Sequence, residues 1–171
     1  MIEKLMKTNQ NYLKVGLVLT ALTLLPIAHP AMAEGQVPFE GVEVGAITSV
    51  SFHFPFDAKS QTAEGEATHV GHYTLTGEFV VDVLLGTGAG TFTMTAANGD
   101  MLFLDMETQV VPTDLTKTVA HFTVTGGTGR FEGATGSYTS HNQLAFFVGT
   151  SPNPYIGVLE GSISSPGANK K

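Results

Sequence analysis

The stretch GEATHVGHY, residues 65–73, combines side chains that could transfer protons or bind a metal ion. Side chains alternate along an extended strand, so His69 and His72 point to opposite faces, which does not suit a metal site, and we predict none. His69 and Tyr73 share a face with small neighbours. They predict the polar end of a pocket in which His69 transfers protons near neutral pH. The alternative is that both are ordinary hydrogen-bonded residues of a sheet.

A third candidate acid or base, Asp105, lies in FTMTAANGDMLFLDME. The Asn-Gly pair at 98–99 is typical of a two-residue type I′ hairpin, whose register pairs Met94 with Phe103 and Phe92 with Asp105. If this face lines the interior, the two phenylalanines and Met94 contact a ligand and the carboxylate enters the pocket. A one-residue bulge reverses the arrangement, placing the leucines of the second run inside and the carboxylate in water.

The glycine-rich stretch GGTGRFEGATG, residues 126–136, has the GxG spacing of a dinucleotide-binding loop. Such a loop requires a helix directly after it, whereas the residues that come next, SYTSHNQLAFF, are typical of a strand. We therefore predict a corner between two strands, in which the glycines permit positive φ or close backbone approach. Phe131 is expected to cover one end of the core, and we expect no cofactor.

Arg130, the only arginine, stands in this corner beside Glu132. One interpretation is a surface ion pair between these two neighbours, of small energetic value. The other places the guanidinium at the mouth of the fold, where its planar set of donors binds an anionic ligand.

The first residues of the chain predict that the protein is exported from the cytoplasm. A basic front is followed by the apolar run VGLVLTALTLLPIA and the small-residue site AMA, which is typical of a secretory signal peptide at 1–33 with cleavage before Glu34. The run is shorter than the ~20 apolar residues of a spanning helix, so we do not expect a membrane-spanning protein. The chain is expected in the periplasm or outside the cell.

Charge and cysteine content exclude several classes of function. Removal of 33 residues from 171 leaves 138, with 14 acidic and five basic side chains and a net charge of −9. Such a surface repels phosphate backbones, so nucleic acid is not an expected partner. The chain has no cysteine, which excludes disulfides and thiol chemistry.

Most of the remaining chain consists of short runs rich in Val, Thr and Phe, separated by Gly, Asn and Pro. The eight predicted strands lie near 42–54, 64–74, 77–84, 90–97, 101–110, 118–125, 136–148 and 155–163. Eight sequential strands without a helical segment predict an all-β fold, an eight-stranded antiparallel barrel whose closure leaves no exposed edge. The barrel domain is expected at 34–163, followed by a flexible tail at 164–171.

The segment VTGGTGRFEGATGSY resembles the GGTGxFxGAxG segment of the allene oxide cyclase and dirigent proteins. Together with GEATHVGHYT and GTFTMTAANGDMLF, it also resembles a set of small exported bacterial proteins, mostly of unassigned role. The resemblance covers roughly residues 64–138 and implies an eight-stranded antiparallel barrel. In that group, ligands occupy the lumen between apolar walls with a few polar groups. No catalytic residue of the group matches this chain securely.

Three functions remain open at this stage. The first is a binding module that holds a small apolar or amphipathic molecule in the lumen. The second is a cyclase or isomerase that folds a flexible hydrophobic substrate, assisted by His69, Tyr73 or Asp105. The third is a structural or interaction barrel, and for all three the sequence leaves a homo-oligomer open.

Overall fold

Eight antiparallel strands close into a barrel in the computed structural model, which describes residues 35–164 and 166–167. The strands are β1 Gln36–His53, β2 Phe56–Ala67, β3 Gly71–Asp82, β4 Thr87–Ala96, β5 Met101–Val110, β6 Lys117–Gly127, β7 Gly136–Leu144 and β8 Asn153–Ser164. Each strand pairs with its neighbours in sequence, and β8 pairs with β1. The predicted fold class is therefore confirmed, while the predicted signal peptide at 1–33 lies outside the described residues.

All eight predicted strands have a counterpart, but the bounds differ: β1 and β3 begin six residues earlier than predicted and β7 ends four residues earlier, with the largest difference around β2. The predicted run at 64–74 is wrong, because it crosses the turn at Thr68–Val70 that separates β2 from β3. β2 itself reads DAKSQTAEGEA after Phe56, and its inward positions carry Asp57, Lys59 and Gln61. A strand with polar side chains on both faces gives no apolar alternation, so the pattern did not reveal it.

The register of the β4–β5 hairpin differs by one residue from the predicted one. Thr95 pairs with Met101 and Phe92 with Leu104. The turn between the bonded residues Ala96 and Asp100 has three residues, 97–99, rather than two. Within this turn only Gly99 has a positive φ, +87°, whereas a type I′ turn requires positive φ at two residues. The leucines of β5 consequently point inward, and Phe103 and Asp105 point outward.

Glycines inside the barrel face aromatic rings on the neighbouring strand. Gly45 pairs with Tyr155, and a Cβ at Gly45 would lie 2.7 Å from Tyr155 Cε1. Gly65 pairs with Tyr73, and a Cβ there would lie 2.6 Å from the phenol oxygen. Further pairs of this kind are Gly77 with Phe92, Gly90 with Phe79, and Gly161 with Tyr138. The large rings thus occupy space that their partner residues leave free.

The two ends of the barrel differ. At the closed end, formed by the connections at 68–70, 97–100 and 128–135, the side chain of Phe131 is buried. The glycine-rich corner there leads through one turn of 3₁₀ helix, Gly129–Phe131, into β7, which confirms a corner rather than a nucleotide loop. At the opposite end, which we call the mouth, lie the connections at 54–55, 83–86, 111–116 and 145–152.

Candidate ligand-binding site

A cavity of about 530 Å³ occupies the half of the lumen next to the mouth. Its apolar lining includes Ile47, Phe79, Val81, Val83, Leu84, Met106, Val110, Leu115, Ala120, Leu144 and Val148. Below it, rings pack against one another across the barrel: Phe122 stacks on Tyr138 with centroids 4.8 Å apart, and Phe39 contacts the same tyrosine at 4.8 Å. The lumen is therefore filled at the closed end and hollow at the mouth.

The charged side chains of the cavity wall lie on β2. Lys59 Nζ is 2.6 Å from Asp57 Oδ2, and the Ser49 hydroxyl donates to Asp57 Oδ1 at 2.6 Å. Burial alone would raise the pKa of the Asp57 carboxyl, but the hydrogen bonds from Lys59 and Ser49 together with the lysine charge lower it below its usual value. One strand therefore presents a paired carboxylate and ammonium to a cavity whose other lining residues are uncharged.

A buried carboxyl lies deeper in the barrel. Glu43, on β1, accepts hydrogen bonds from the Tyr73 hydroxyl at Oε2 and the Tyr155 hydroxyl at Oε1, each 3.1 Å long. The Ser140 hydroxyl is 3.4 Å from Oε1. Burial raises the pKa of the Glu43 carboxyl above its usual range, and the hydrogen bonds from the phenols and the serine offset only part of that shift.

The cavity and this carboxyl are linked through side chains that belong to both. Gln61 lines the cavity and donates from Nε2 to the Tyr155 oxygen at 2.5 Å, and Tyr155 in turn donates to Glu43. Asn142 also lines the cavity and accepts at Oδ1 from Ser140, at 2.8 Å. The floor of the cavity is thus a hydrogen-bonded layer with a carboxyl behind it.

Tyr138 belongs to the same region but makes no hydrogen bond with its hydroxyl within the described residues. Burial raises the pKa of this phenol well above its usual value, and the Glu43 carboxylate and the neighbouring tyrosines raise it further. A buried hydroxyl without a partner loses its hydration without compensation. Its hydroxyl is therefore the unsatisfied member of the buried group.

The structure does not bring the predicted catalytic residues together. His69 lies in the exposed turn between β2 and β3, so it does not share a strand face with Tyr73 as predicted. Asp105 is exposed on the outer wall because of the hairpin register. Tyr73 is fully buried inside the barrel, where it contacts Glu43 rather than the cavity.

The predicted ligand contacts also lie away from the cavity. Phe92 and Met94 point inward as expected and are buried in the filled part of the core, while Phe103 points outward. Arg130 lies at the closed end, where Nη2 donates to the Val70 carbonyl at 2.8 Å and the guanidinium stacks 4.8 Å from the Phe131 ring centroid. Its Nε is 3.8 Å from Asp100 Oδ2.

The contacts of Arg130 do not include the ion pair with Glu132 that one interpretation predicted. Its carboxylate neighbour is Asp100, across the adjacent hairpin, whereas Glu132 is exposed. The guanidinium binds the turn after β2 and the turn after β4, at the opposite end from the mouth. In this arrangement Arg130 fastens closed-end connections to one another.

The sequence pattern did not indicate the residues that form the site, which are Glu43, Asp57, Lys59, Gln61 and Asn142. In VEVGAI the valines suggest an inward face, yet both are exposed and Glu43 between them is buried. Gly45 carries the usable signal, because it shares the face of Glu43 and marks a position where the Tyr155 ring from the neighbouring strand enters.

The described residues show neither a metal centre nor a spanning helix. In 35–164 and 166–167, no three His, Asp or Glu side chains lie close enough together to hold a metal ion. No helix in this part of the chain is long and apolar enough to cross a membrane. No model of a known protein family matches the chain, and a comparison with curated proteins found no significant relative.

Proposed function

We propose that this protein binds a small apolar or amphipathic molecule in its barrel. The observation that carries the proposal is the cavity of about 530 Å³, which adjoins the mouth and has apolar walls with a few polar groups. Small-molecule sites have volumes of roughly 300–1,000 Å³ and this same composition.

The polar side of the cavity indicates how such a molecule lies. Asp57, Lys59 and Gln61 follow one another along the inner face of β2, while the lining from the other strands carries no charge. A ligand with a polar group on one edge can hydrogen-bond to β2 and place its apolar part against Met106 and Ala120. This arrangement favours an amphipathic ligand over a pure hydrocarbon.

We also propose that the chain is related to the allene oxide cyclase and dirigent barrels, and that it is exported. The glycine-rich segment and the lumen cavity both support membership of that group. Export is supported by the N-terminal sequence pattern. N-terminal sequencing of protein recovered from outside the cytoplasm tests it: a mature terminus at Glu34 is the expected result.

Binding is tested with a fluorescent fatty-acid probe whose emission increases in apolar surroundings. The probe should bind the wild-type chain in a saturable manner, and Ala120→Phe, which places a ring in the cavity, should abolish binding. Ala89→Phe is the matched control, because Ala89 is exposed on the outer wall and its ring cannot enter the lumen. If Ala120→Phe does not fold, Val81→Phe fills the cavity from a half-buried position.

The outcomes separate the functions. Loss of binding in the cavity-filling variant alone supports the proposal. Equal binding by all variants places the probe on the surface and contradicts it. An absence of binding by the wild type across fatty-acid, sterol and phenolic probes favours a structural barrel instead.

A second candidate, a cyclase or isomerase, is favoured by the buried Glu43 carboxyl behind the cavity floor. A carboxyl with a raised pKa is suited to general acid or base catalysis. Because Glu43 does not line the cavity, this candidate requires the ligand to reach the carboxyl within hydrogen-bond distance or through one water. The test is incorporation of deuterium from D₂O into a bound polyene ligand. A catalytic role predicts incorporation by the wild type and its loss in Glu43→Gln, with probe binding retained in both.

A further inference from the structure

Six large apolar side chains are exposed around the mouth, and they come from all four of its connections. Each is between 48% and 72% exposed: Phe54, Leu84, Leu85, Leu115, Phe146 and Phe147. We call this set the collar. The described connections of the closed end expose no large apolar side chain. Other apolar side chains, among them Val42, Val44, Ile156 and Val158, are exposed on the outer wall, but those of the collar surround the opening of the cavity, which indicates an interaction surface there.

Hydrogen bonds hold the collar in place. The Asp82 carboxylate accepts from the backbone N–H groups of Leu84 and Leu85, at 2.9 and 3.2 Å. The buried Asn153 amide bonds to the backbone of Phe146 and Phe147, with three distances of 3.1 Å. The backbone of both loops is therefore fixed while its apolar side chains remain in solvent.

Neighbouring connections are also bonded to one another around the mouth. Val83 N donates to the Pro55 carbonyl at 2.9 Å, and Val148 N donates to the Leu115 carbonyl at 2.9 Å. Ser49 N donates to the Ser151 hydroxyl at 2.8 Å, which joins β1 to the β7–β8 connection. The collar is a fixed ring, and little conformational entropy is lost when it contacts a partner.

The charge of the mouth differs from that of the wall. Its four connections contain one charged residue, Asp114, which is paired with Lys117 at 2.9 Å. The outer wall, by contrast, is acidic, with Glu64, Glu66 and Asp105 exposed. A second copy of the chain would bring two acidic barrels together, whereas a lipid surface without net charge imposes no such repulsion.

We propose that the collar docks the mouth onto the surface of a zwitterionic lipid layer. The ring encloses the opening of the cavity, and Leu84, Leu85 and Leu115 belong to both the collar and the cavity lining. Docking by an apolar ring scales with the area it buries in the interface and needs no spanning segment. It does not depend on a ligand; direct transfer of a ligand between lipid and lumen rests on the proposed function.

The chain contains no tryptophan, so a single Trp reports on its own position. In the full chain, Phe147→Trp places the tryptophan in the collar. Phe103→Trp places it on the outer wall, near the start of β5 at the closed end. Vesicles of phosphatidylcholine with brominated acyl chains should shift the emission of Trp at 147 to the blue and quench it, and leave Trp at 103 unchanged. Both variants retain residues 1–34, so any contribution from that segment is common to them.

Substitutions test the collar directly in the Phe147→Trp background. Leu84→Ser with Leu85→Ser should weaken vesicle binding by about a hundredfold, about tenfold for each buried side chain removed. The matched control is Val42→Ser with Val44→Ser, because these valines are exposed to a similar extent on the outer wall. The control should bind vesicles as strongly as its parent.

Three results would overturn the proposal. They are no response of Trp at 147 to vesicles, an equal response at 147 and 103, or a blue shift at 147 that grows with protein concentration without vesicles. The last would assign the collar to a second copy of the chain. None of these measurements requires a ligand in the lumen, so a failure of docking is distinguishable from a failure of ligand binding.

Discussion

The Tyr155 hydroxyl donates a 3.1 Å hydrogen bond to Glu43 Oε1 inside the barrel, joining β8 to β1 where the sheet closes. The same hydroxyl accepts from Gln61 on β2. Three adjacent strands therefore share one buried polar contact next to the cavity floor. Because a buried carboxyl is costly to ionise, this contact makes the stability of the barrel sensitive to pH.

The first prediction concerns that sensitivity. The pKa of Glu43 is raised by burial, so its contribution to stability is complete below the ordinary pKa of glutamate and is lost as pH rises through the folded-state value. Between those values the free energy of unfolding should fall by up to about 1.4 kcal/mol per pH unit relative to Glu43→Gln. Urea unfolding of both proteins across pH measures this. In Glu64→Gln, a control on the outer wall, the free energy of unfolding should change with pH as it does in the wild type. If the free energy of unfolding of Glu43→Gln also changes with pH as in the wild type, the prediction is wrong.

The second prediction separates two buried phenols. Tyr155→Phe removes one of the hydrogen bonds to the Glu43 carboxyl and the acceptor of the Gln61 amide, which should cost about 1–3 kcal/mol. Tyr138→Phe removes a hydroxyl that makes no hydrogen bond within the described residues, so its free energy of unfolding should stay level or rise. Urea unfolding at neutral pH measures both values. Equal losses would contradict the hydrogen-bond assignment.

The third prediction concerns the wall of the cavity. Lys59→Met should weaken binding of a carboxylate ligand about tenfold or more, because a hydrogen bond to a charged group is lost, and should leave the corresponding alcohol nearly unaffected. Displacement of the fluorescent probe gives both affinities. Lys117→Met is the control, since Lys117 is half exposed outside the cavity. A similar loss for acid and alcohol would indicate damage to the fold.

The fourth prediction tests the role of Arg130. Arg130→Gln removes the bond to the Val70 carbonyl and the stacking on Phe131, so stability should fall by about 1–2 kcal/mol. Probe binding should be unchanged, because the side chain lies at the closed end. A lower affinity with unchanged stability would restore the anion-binding interpretation.

The fifth prediction concerns the glycines that face rings. A Cβ at Gly77 would collide with the ring of Phe92, so Gly77→Ala should cost about 1–3 kcal/mol through overpacking. Adding Phe92→Leu frees the space, and the double variant should lose less than the sum of the two single losses. Additive losses would mean that the two positions are not in contact.

The fold is predictable from the sequence because turn residues and β-rich runs are local signals. The corner at 126–136 is recognisable from the strand-like residues directly after it, where a nucleotide loop needs a helix, and Phe131 is buried as expected. The hairpin register is not recoverable from Asn98 and Gly99 alone. A two-residue and a three-residue connection use the same glycine, and the difference inverts one strand face.

The site is harder to predict than the fold. Glu43 and Lys59 are charged residues on inward positions, and a sequence pattern assigns charged residues to solvent. The burial of Glu43 depends on partners from distant parts of the chain, since it contacts residues 30 and 112 positions away. Strand pairing alone creates these contacts, so no local window contains them.

The division of the barrel into a filled half and a hollow half has an evolutionary consequence. Each strand contributes packed residues at one end and residues near the mouth at the other, so the side chains that fill the core and those that surround the cavity are different positions on the same strands. If the proposed function holds, changes in the mouth connections alter which molecules bind while the ring-against-glycine packing remains intact. On that proposal, such a barrel is a suitable starting point for acquiring new specificities by loop substitution.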